Sequence, residues 1–186
     1  MIDPIVLIEL TTLKASGKLE ELASHPQLGM KSEWMEQLAQ EHDLYVRSAL
    51  AHNPAIAAVP IVIETLAADE DSYVRKSLAE NLAIATTPKI IEQLSEDKEL
   101  YVRRWLARNP AISASPATVE KLAKDSNYRM REFLAINPSL VAFPELIESL
   151  SNDRSKNVRI YLSRNPAIPA STANTQPVPT QQPLQG

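Results

Sequence analysis

Arginines and acids recur together along this 186-residue chain at a step of 28 residues. The arginines are Arg47, Arg75, Arg103, Arg131 and Arg159, and the acids six residues before them are Glu41, Asp69, Asp97, Asp125 and Asp153. A guanidinium offers a planar fork of donors that matches the two oxygens of a carboxylate. The spacing predicts a ladder in which each carboxylate caps a helix and accepts the arginine of its own or an adjacent repeat. A row of phosphate-binding arginines is the alternative.

Residues that could support catalysis are sparse. The chain has no cysteine, which excludes disulfides, thiolate metal ligands and a cysteine nucleophile, and its three glycines cannot build a glycine-rich phosphate loop. The histidines, His25, His42 and His52, fall at three different positions of the repeat, as scattered surface or capping residues would. One glutamate recurs in every repeat without a second acid at a fixed spacing to separate their pKa values. We therefore predict no enzyme activity, no metal site and no cofactor.

The repeated unit that carries these residues reads as a pair of helices. Segments such as YVRSALAHNPAI and YVRRWLARNPAI follow the 28-residue step, and a proline-led segment such as PIVIETLAAD precedes each later one. Apolar residues three and four apart, such as Val62, Ile63 and Leu66, predict helices rather than strands. The second helix of each pair is predicted to end at an asparagine: Asn53, Asn81, Asn109, Asn137 and Asn165. These asparagines are interpreted as structural, with amide contacts to a bound peptide as the alternative. The segment after them is a turn or one turn of 3₁₀ helix.

Helices of about ten residues are marginally stable alone in water, so each pair must be covered by its neighbours. The chain is therefore predicted to be an all-α solenoid of about six two-helix repeats. Residues 1–31 form a degenerate N-terminal capping repeat, 32–168 form five tandem repeats of 28 residues, and 169–186 form a disordered tail rich in Pro, Thr and Gln.

The pattern L-A-x-D-x-x-x-x-V-R-x-x-L-A-x-N-P resembles the leucine-rich repeat variant family and related short HEAT-like repeats. It stands here as Leu94–Asp97, Val102-Arg103, Leu106-Ala107 and Asn109-Pro110, and the resemblance covers roughly residues 32–168. The resemblance implies a right-handed superhelix with 3₁₀ or short α-helices between longer ones, and no particular activity. The period of 28 is longer than the family's usual one. A chain without cysteine also cannot carry the iron–sulfur domain that some members have.

Charge is divided between the two helices of the repeat. The first-helix segments sum to a net charge of −10 and the second-helix segments to +7. Second helices line the concave face in HEAT-like solenoids, so the resemblance implies a mildly basic groove. Its surplus cations are Lys76, Arg104, Arg108, Arg129, Lys156 and Arg164, and the same helices carry tyrosines and the aromatic column Trp105, Phe133 and Tyr161. Those rings could form a binding surface or simply fill space between repeats.

These features favour a non-enzymatic scaffold that binds an acidic protein or peptide in the groove. The candidate contact residues are Tyr73, Lys76, Tyr101, Arg104, Trp105, Arg108 and Arg129. One alternative is nucleic-acid binding, which a net charge of −4 disfavours. The other is a structural or assembly factor that associates end to end. With no apolar run of about 18 residues and no basic N-terminal signal, we predict a cytoplasmic protein without a membrane segment.

Overall fold

A computed structural model describes residues 10–169 of the chain. Within this range the protein contains α-helices and 3₁₀ helices and no strand, which confirms the all-α class. Residues 1–9, which hold the start of the predicted capping repeat, lie outside the described residues, as does the predicted tail from residue 170 onward. No helix in the described range is long and apolar enough to cross a membrane.

The segment predicted as a capping repeat contains, within the described residues, the helices α1 (Leu10–Ala15) and α2 (Leu19–Ala23) and a 3₁₀ helix (Pro26–Met30). The first helices of the five following repeats are α3 (Ser32–Leu38), α5 (Pro60–Ala67), α7 (Pro88–Ser95), α9 (Pro116–Ala123) and α11 (Pro144–Ser151). The second helices are α4 (Leu44–His52), α6 (Ser72–Glu80), α8 (Leu100–Arg108), α10 (Tyr128–Ala135) and α12 (Lys156–Ser163).

A 3₁₀ helix follows the second helix in each of the first four tandem repeats, at Pro54–Ala58, Leu82–Thr86, Pro110–Ala114 and Pro138–Ala142. The sequence left a turn and a 3₁₀ helix open: these four repeats have the 3₁₀ helix, whereas residues 166–167 of the fifth form a turn. The asparagine before each segment has an extended backbone, and its side-chain oxygen accepts the N–H two residues later, as Asn109 does from Ala111 at 2.9 Å. The asparagine therefore starts the 3₁₀ helix as its N-cap.

The core runs continuously from one repeat to the next. Second helices pack on one another in chain order, the 3₁₀ helices do the same, and each second helix also packs on the first helix of its own repeat. The repeated leucine of the second helix is buried in every tandem repeat: Leu50, Leu78, Leu106, Leu134 and Leu162. Equivalent apolar residues of the 3₁₀ helices, such as Ile56 and Ile84, are also buried, so the interface between repeats is the core.

The asparagine column also joins adjacent repeats. The Asn137 side chain is completely buried, and its amide nitrogen donates to the carbonyls of Ala107 at 2.8 Å and Asn109 at 3.0 Å in the preceding repeat. The other four asparagines make the equivalent pair of bonds. Because these amides are engaged inside the protein, they are not available to a bound peptide.

Candidate protein-binding surface

Three arginines of the ladder pair with the aspartate of the following repeat, not with the acid of their own. Arg75 Nε donates to Asp97 Oδ2 at 2.6 Å and Nη2 to Oδ1 at 3.0 Å, while Nη1 donates to the carbonyl of Asp69 at 2.8 Å. Arg47 binds Asp69 and Arg131 binds Asp153 in the same way. Each of these arginines is at most 8% exposed, so the guanidiniums act as buried links between repeats.

The acids of the ladder do not cap the second helices, so that part of the prediction is wrong. The side chains of the four aspartates accept a backbone N–H in the loop before the helix, as Asp97 does from Glu99 at 2.8 Å. The N-cap lies two residues further on, where Asp71 accepts from Tyr73 at 2.7 Å. The acid and the N-cap are separate residues with different partners. The acid binds the arginine of the preceding repeat, and the N-cap binds an N–H of its own helix.

The two ends of the ladder have other partners. Glu41, the first acid, accepts from Lys14 of the capping repeat at 2.6 Å, in place of an arginine. Arg159, the last arginine, donates to the carbonyl of Asp153 at 2.5 Å within its own repeat. The ladder thus extends over the described tandem repeats and uses a lysine at its N-terminal end.

One internal rung is open. Arg103 donates to the carbonyl of Asp97, but within residues 10–169 it makes no ion pair, and neither does Asp125. Asp125 still accepts the N–H of Asn127 at 2.7 Å, so its loop keeps the regular fold. The open rung is therefore not accompanied by a change in the loop that carries Asp125.

The buried rungs make stability depend on pH. Burial raises the pKa of Asp97, but bonds from Arg75 and from the N–H of Glu99 outweigh it, so the pKa lies below its ordinary value. The pKa of Asp153 is lowered by Arg131 and the N–H of Ser155 against the same opposing burial. A carboxyl whose pKa is lower in the folded than in the unfolded state stabilises the protein above the unfolded value, about 3.9, and loses that contribution as pH falls.

We therefore expect the free energy of unfolding to fall as the pH drops below about 4. Asp97→Asn removes one of these groups, so the variant should be less stable at neutral pH and its stability should change less between about pH 5 and pH 3. Urea unfolding at a series of pH values measures both effects. An identical pH dependence in wild type and variant would contradict the role of Asp97.

Cations and aromatic rings interleave on the second-helix face. Lys76 Nζ lies 5.5 Å from the ring of Tyr73 and 4.9 Å from that of Trp105 in the next repeat. Arg104 lies 4.5 Å from the ring of Phe133, and Arg108 lies 5.2 Å from Trp105 and 6.0 Å from Phe133. We call these six residues, Tyr73, Lys76, Arg104, Trp105, Arg108 and Phe133, the cation–aromatic cluster.

The cluster brings together five of the seven predicted contact residues. Tyr101 is exposed nearby, and its hydroxyl donates to Ser72 on the neighbouring helix. Arg129 lies beside Tyr128, 6.0 Å from its ring, outside the cluster. Phe133 is an additional member that sequence reasoning did not select as a contact residue. The available signal was its place in an aromatic column where earlier repeats have Ala49 and Ser77.

Two arginines of the cluster lack an acidic partner. Lys76 is 2.9 Å from Glu80, which also binds His52 at 2.9 Å, so that lysine is largely neutralised. Arg104 and Arg108 form no salt bridge within the described residues. Stacking on neutral rings holds these guanidiniums without cancelling their charge. The unpaired positive charge of the cluster therefore lies on α8.

The contact between α8 and α10 departs from the repeat in several ways at once. At the contact of α4 with α6, Ser48 and Ser77 share a buried hydrogen bond of 2.8 Å, whereas Trp105 and Phe133 occupy the Ser77 column at α8 and α10. The open rung at Arg103 lies at this same contact. Glu132 on α10 has a buried Oε1 atom without a hydrogen-bond partner in the described structure. The open rung and the unpartnered Glu132 oxygen therefore lie at the same junction, next to the cation–aromatic cluster.

No protein-family model matches this sequence, and no curated protein matches it. The function therefore has to be inferred from the surface itself.

Proposed function

We propose that the protein is a non-enzymatic scaffold that binds an acidic protein or peptide on the second-helix face, around the cation–aromatic cluster. The observation that carries this proposal is the pair Arg104 and Arg108, which lie over aromatic rings and have no acidic partner among residues 10–169. Arginine and tryptophan are the residues that most often dominate binding energy at protein interfaces. An acidic partner would supply the negative charge that pairs with these two arginines.

The proposed architecture is a right-handed solenoid of the leucine-rich repeat variant or HEAT-like kind. Chain-order packing of the second helices and the 3₁₀ helices supports it, as do the buried links that each join one repeat to the next. Second helices contact one another more extensively than first helices do, which supports a curved stack with the second helices on the inner side. The cluster would then lie in the concave groove.

Preorganisation supports binding at this place. Fixing a long arginine side chain at an interface costs about 0.5–1.5 kcal/mol of conformational free energy. Arg104 and Arg108 already lie against Phe133 in the free protein, so part of that cost is met on folding. Trp105 is 37% exposed, which leaves one part of its ring to contact a partner and another to support the arginine.

The test is a binding titration with a fluorescein-labelled oligoglutamate peptide, followed by fluorescence anisotropy. We expect Arg104→Glu combined with Trp105→Ala to weaken binding by at least about tenfold, since it reverses one unpaired charge and removes one ring. Lys89→Glu is the matched control, because Lys89 is an exposed cation on a first helix, α7. Equal affinities for wild type and the double variant would remove this surface from consideration.

Nucleic-acid binding has less support. Three ladder arginines are committed to aspartates, so they do not form the row of phosphate contacts that the alternative needs. The unpaired cations of the second-helix face lie on or beside α8, α10 and α12 and are interrupted by Glu80 and Glu132, while a duplex-binding face requires a continuous basic stripe.

A further inference from the structure

Arg104 and Arg108 lie one turn apart on α8 and over the same aromatic ring. Their guanidiniums are 4.5 and 6.0 Å from the centroid of Phe133. Neither guanidinium donates a hydrogen bond or forms a salt bridge within residues 10–169, so the N–H groups of both side chains are free to bind an anion. The helix α8 therefore carries two neighbouring guanidiniums on one surface, each with N–H donors.

The ladder shows how a single arginine binds a carboxylate in this protein. Each paired arginine donates two hydrogen bonds to a single aspartate, as Arg47 does to Asp69 at 2.6 and 3.0 Å. One carboxylate thus has both of its oxygens bound by one guanidinium. Two guanidiniums side by side match an anion with more oxygens and more charge. A phosphate monoester has three terminal oxygens and a charge of about −1.5 to −2 at neutral pH.

We propose that Arg104 and Arg108 bind a phosphorylated side chain of the protein partner. This inference rests on the proposed function and narrows the acidic partner to a phosphorylated one. The two guanidiniums would donate charge-assisted hydrogen bonds to the phosphate oxygens, and Trp105 would contact the residue that carries the phosphate.

The acids on either side of the pair favour a single phosphate over a nucleic-acid strand. Glu80 on α6 occupies the repeat position of Arg108, and Glu132 on α10 occupies that of Arg104. Because α6 and α10 pack on the two sides of α8, a polyanion that continued along this face would meet no further unpaired cation at these two positions: Glu80 is paired with Lys76 and His52, and Glu132 is a carboxylate. A single phosphate bound on α8 would not extend to the position of Glu80 or of Glu132.

Trp105 provides a direct reporter for the experiment. The chain has two tryptophans, and Trp34→Phe leaves Trp105 as the single tryptophan, which can be excited selectively over the tyrosines. Three glycine–serine peptides are titrated: one with a single phosphoserine, one with glutamate at that position, and one with unmodified serine. An oligothymidylate of comparable length is the fourth probe. We expect the phosphoserine peptide to bind at least about tenfold more tightly than the glutamate peptide, from one or more additional charge-assisted hydrogen bonds.

Variants assign the effect to the two arginines. Arg104→Gln and Arg108→Gln should each remove most of the preference for phosphoserine, Arg104→Lys should keep only part of it, and Lys89→Gln should leave it unchanged. If Trp34→Phe does not fold, the Nε–Hε resonances of Arg104 and Arg108 in wild-type protein report the same titrations by NMR.

The outcomes separate this inference from the function on which it rests. Equal binding of the phosphoserine and glutamate peptides would overturn the phosphate proposal and leave an acidic-peptide scaffold standing. Failure of the phosphoserine, glutamate and oligoglutamate peptides to bind would overturn both. Tighter binding of oligothymidylate than of the phosphoserine peptide would overturn the phosphoprotein partner in favour of a nucleic acid.

Discussion

Asn137→Ala is expected to lower the free energy of unfolding by about 3–5 kcal/mol, one of the largest effects available in this chain. The substitution removes a buried amide that donates to Ala107 and Asn109 and accepts from the N–H of Ser139 at 2.9 Å. Each buried polar group left without a partner costs about 1–3 kcal/mol. The loss would be a large fraction of the total stability of an ordinary domain, which is about 5–15 kcal/mol.

Urea unfolding followed by circular dichroism measures this effect. The matched control is Asn152→Ala, since Asn152 is an exposed asparagine whose amide makes a solvent-accessible bond of 3.1 Å to the carbonyl of Glu148. We expect a change of no more than about 1 kcal/mol there. Similar losses at both positions would show that the buried asparagines do not hold the repeats together.

Arg75→Ala is expected to destabilise the protein by about 3–5 kcal/mol, because it leaves the buried carboxylate of Asp97 without its counter-charge. Arg103→Ala, at the equivalent position of the next repeat, should cost only about 1 kcal/mol, because Arg103 binds a backbone carbonyl and no carboxylate within the described residues. The same substitution at two equivalent positions thus tests whether the ion pair or merely the arginine side chain provides the stability.

A double-mutant cycle completes the comparison. Arg75→Ala combined with Asp97→Ala should be less destabilised than the sum of the two single variants, because neither charge is then buried alone. Arg103→Ala combined with Asp125→Ala should be additive. A coupling of equal size at the two positions would mean that Arg103 and Asp125 also form a closed rung in solution.

The cation–aromatic cluster could be predicted only in part from the sequence. Charged and aromatic residues accumulate on the second helices, and this pattern predicted five members of the cluster as contact residues: Tyr73, Lys76, Arg104, Trp105 and Arg108. The contact of Phe133 with the two arginines could not be predicted, because a ring at a repeat position that otherwise holds small residues could equally well fill space between repeats. Which ring each cation contacts depends on the distance between neighbouring helices, and residues of two repeats set that distance together.

The sequence by itself determined the 28-residue period, the all-α class and the prolines at which four of the first helices begin, because these depend on side chains close together along the chain. The caps of the second helices were predicted two residues too early. The tertiary structure alone decided that Arg75 pairs with the next repeat, that Asn137 binds back to the previous one, and that the rung at Arg103 stays open. These contacts join atoms of different repeats, and the side chains packed between repeats determine how far apart those atoms lie.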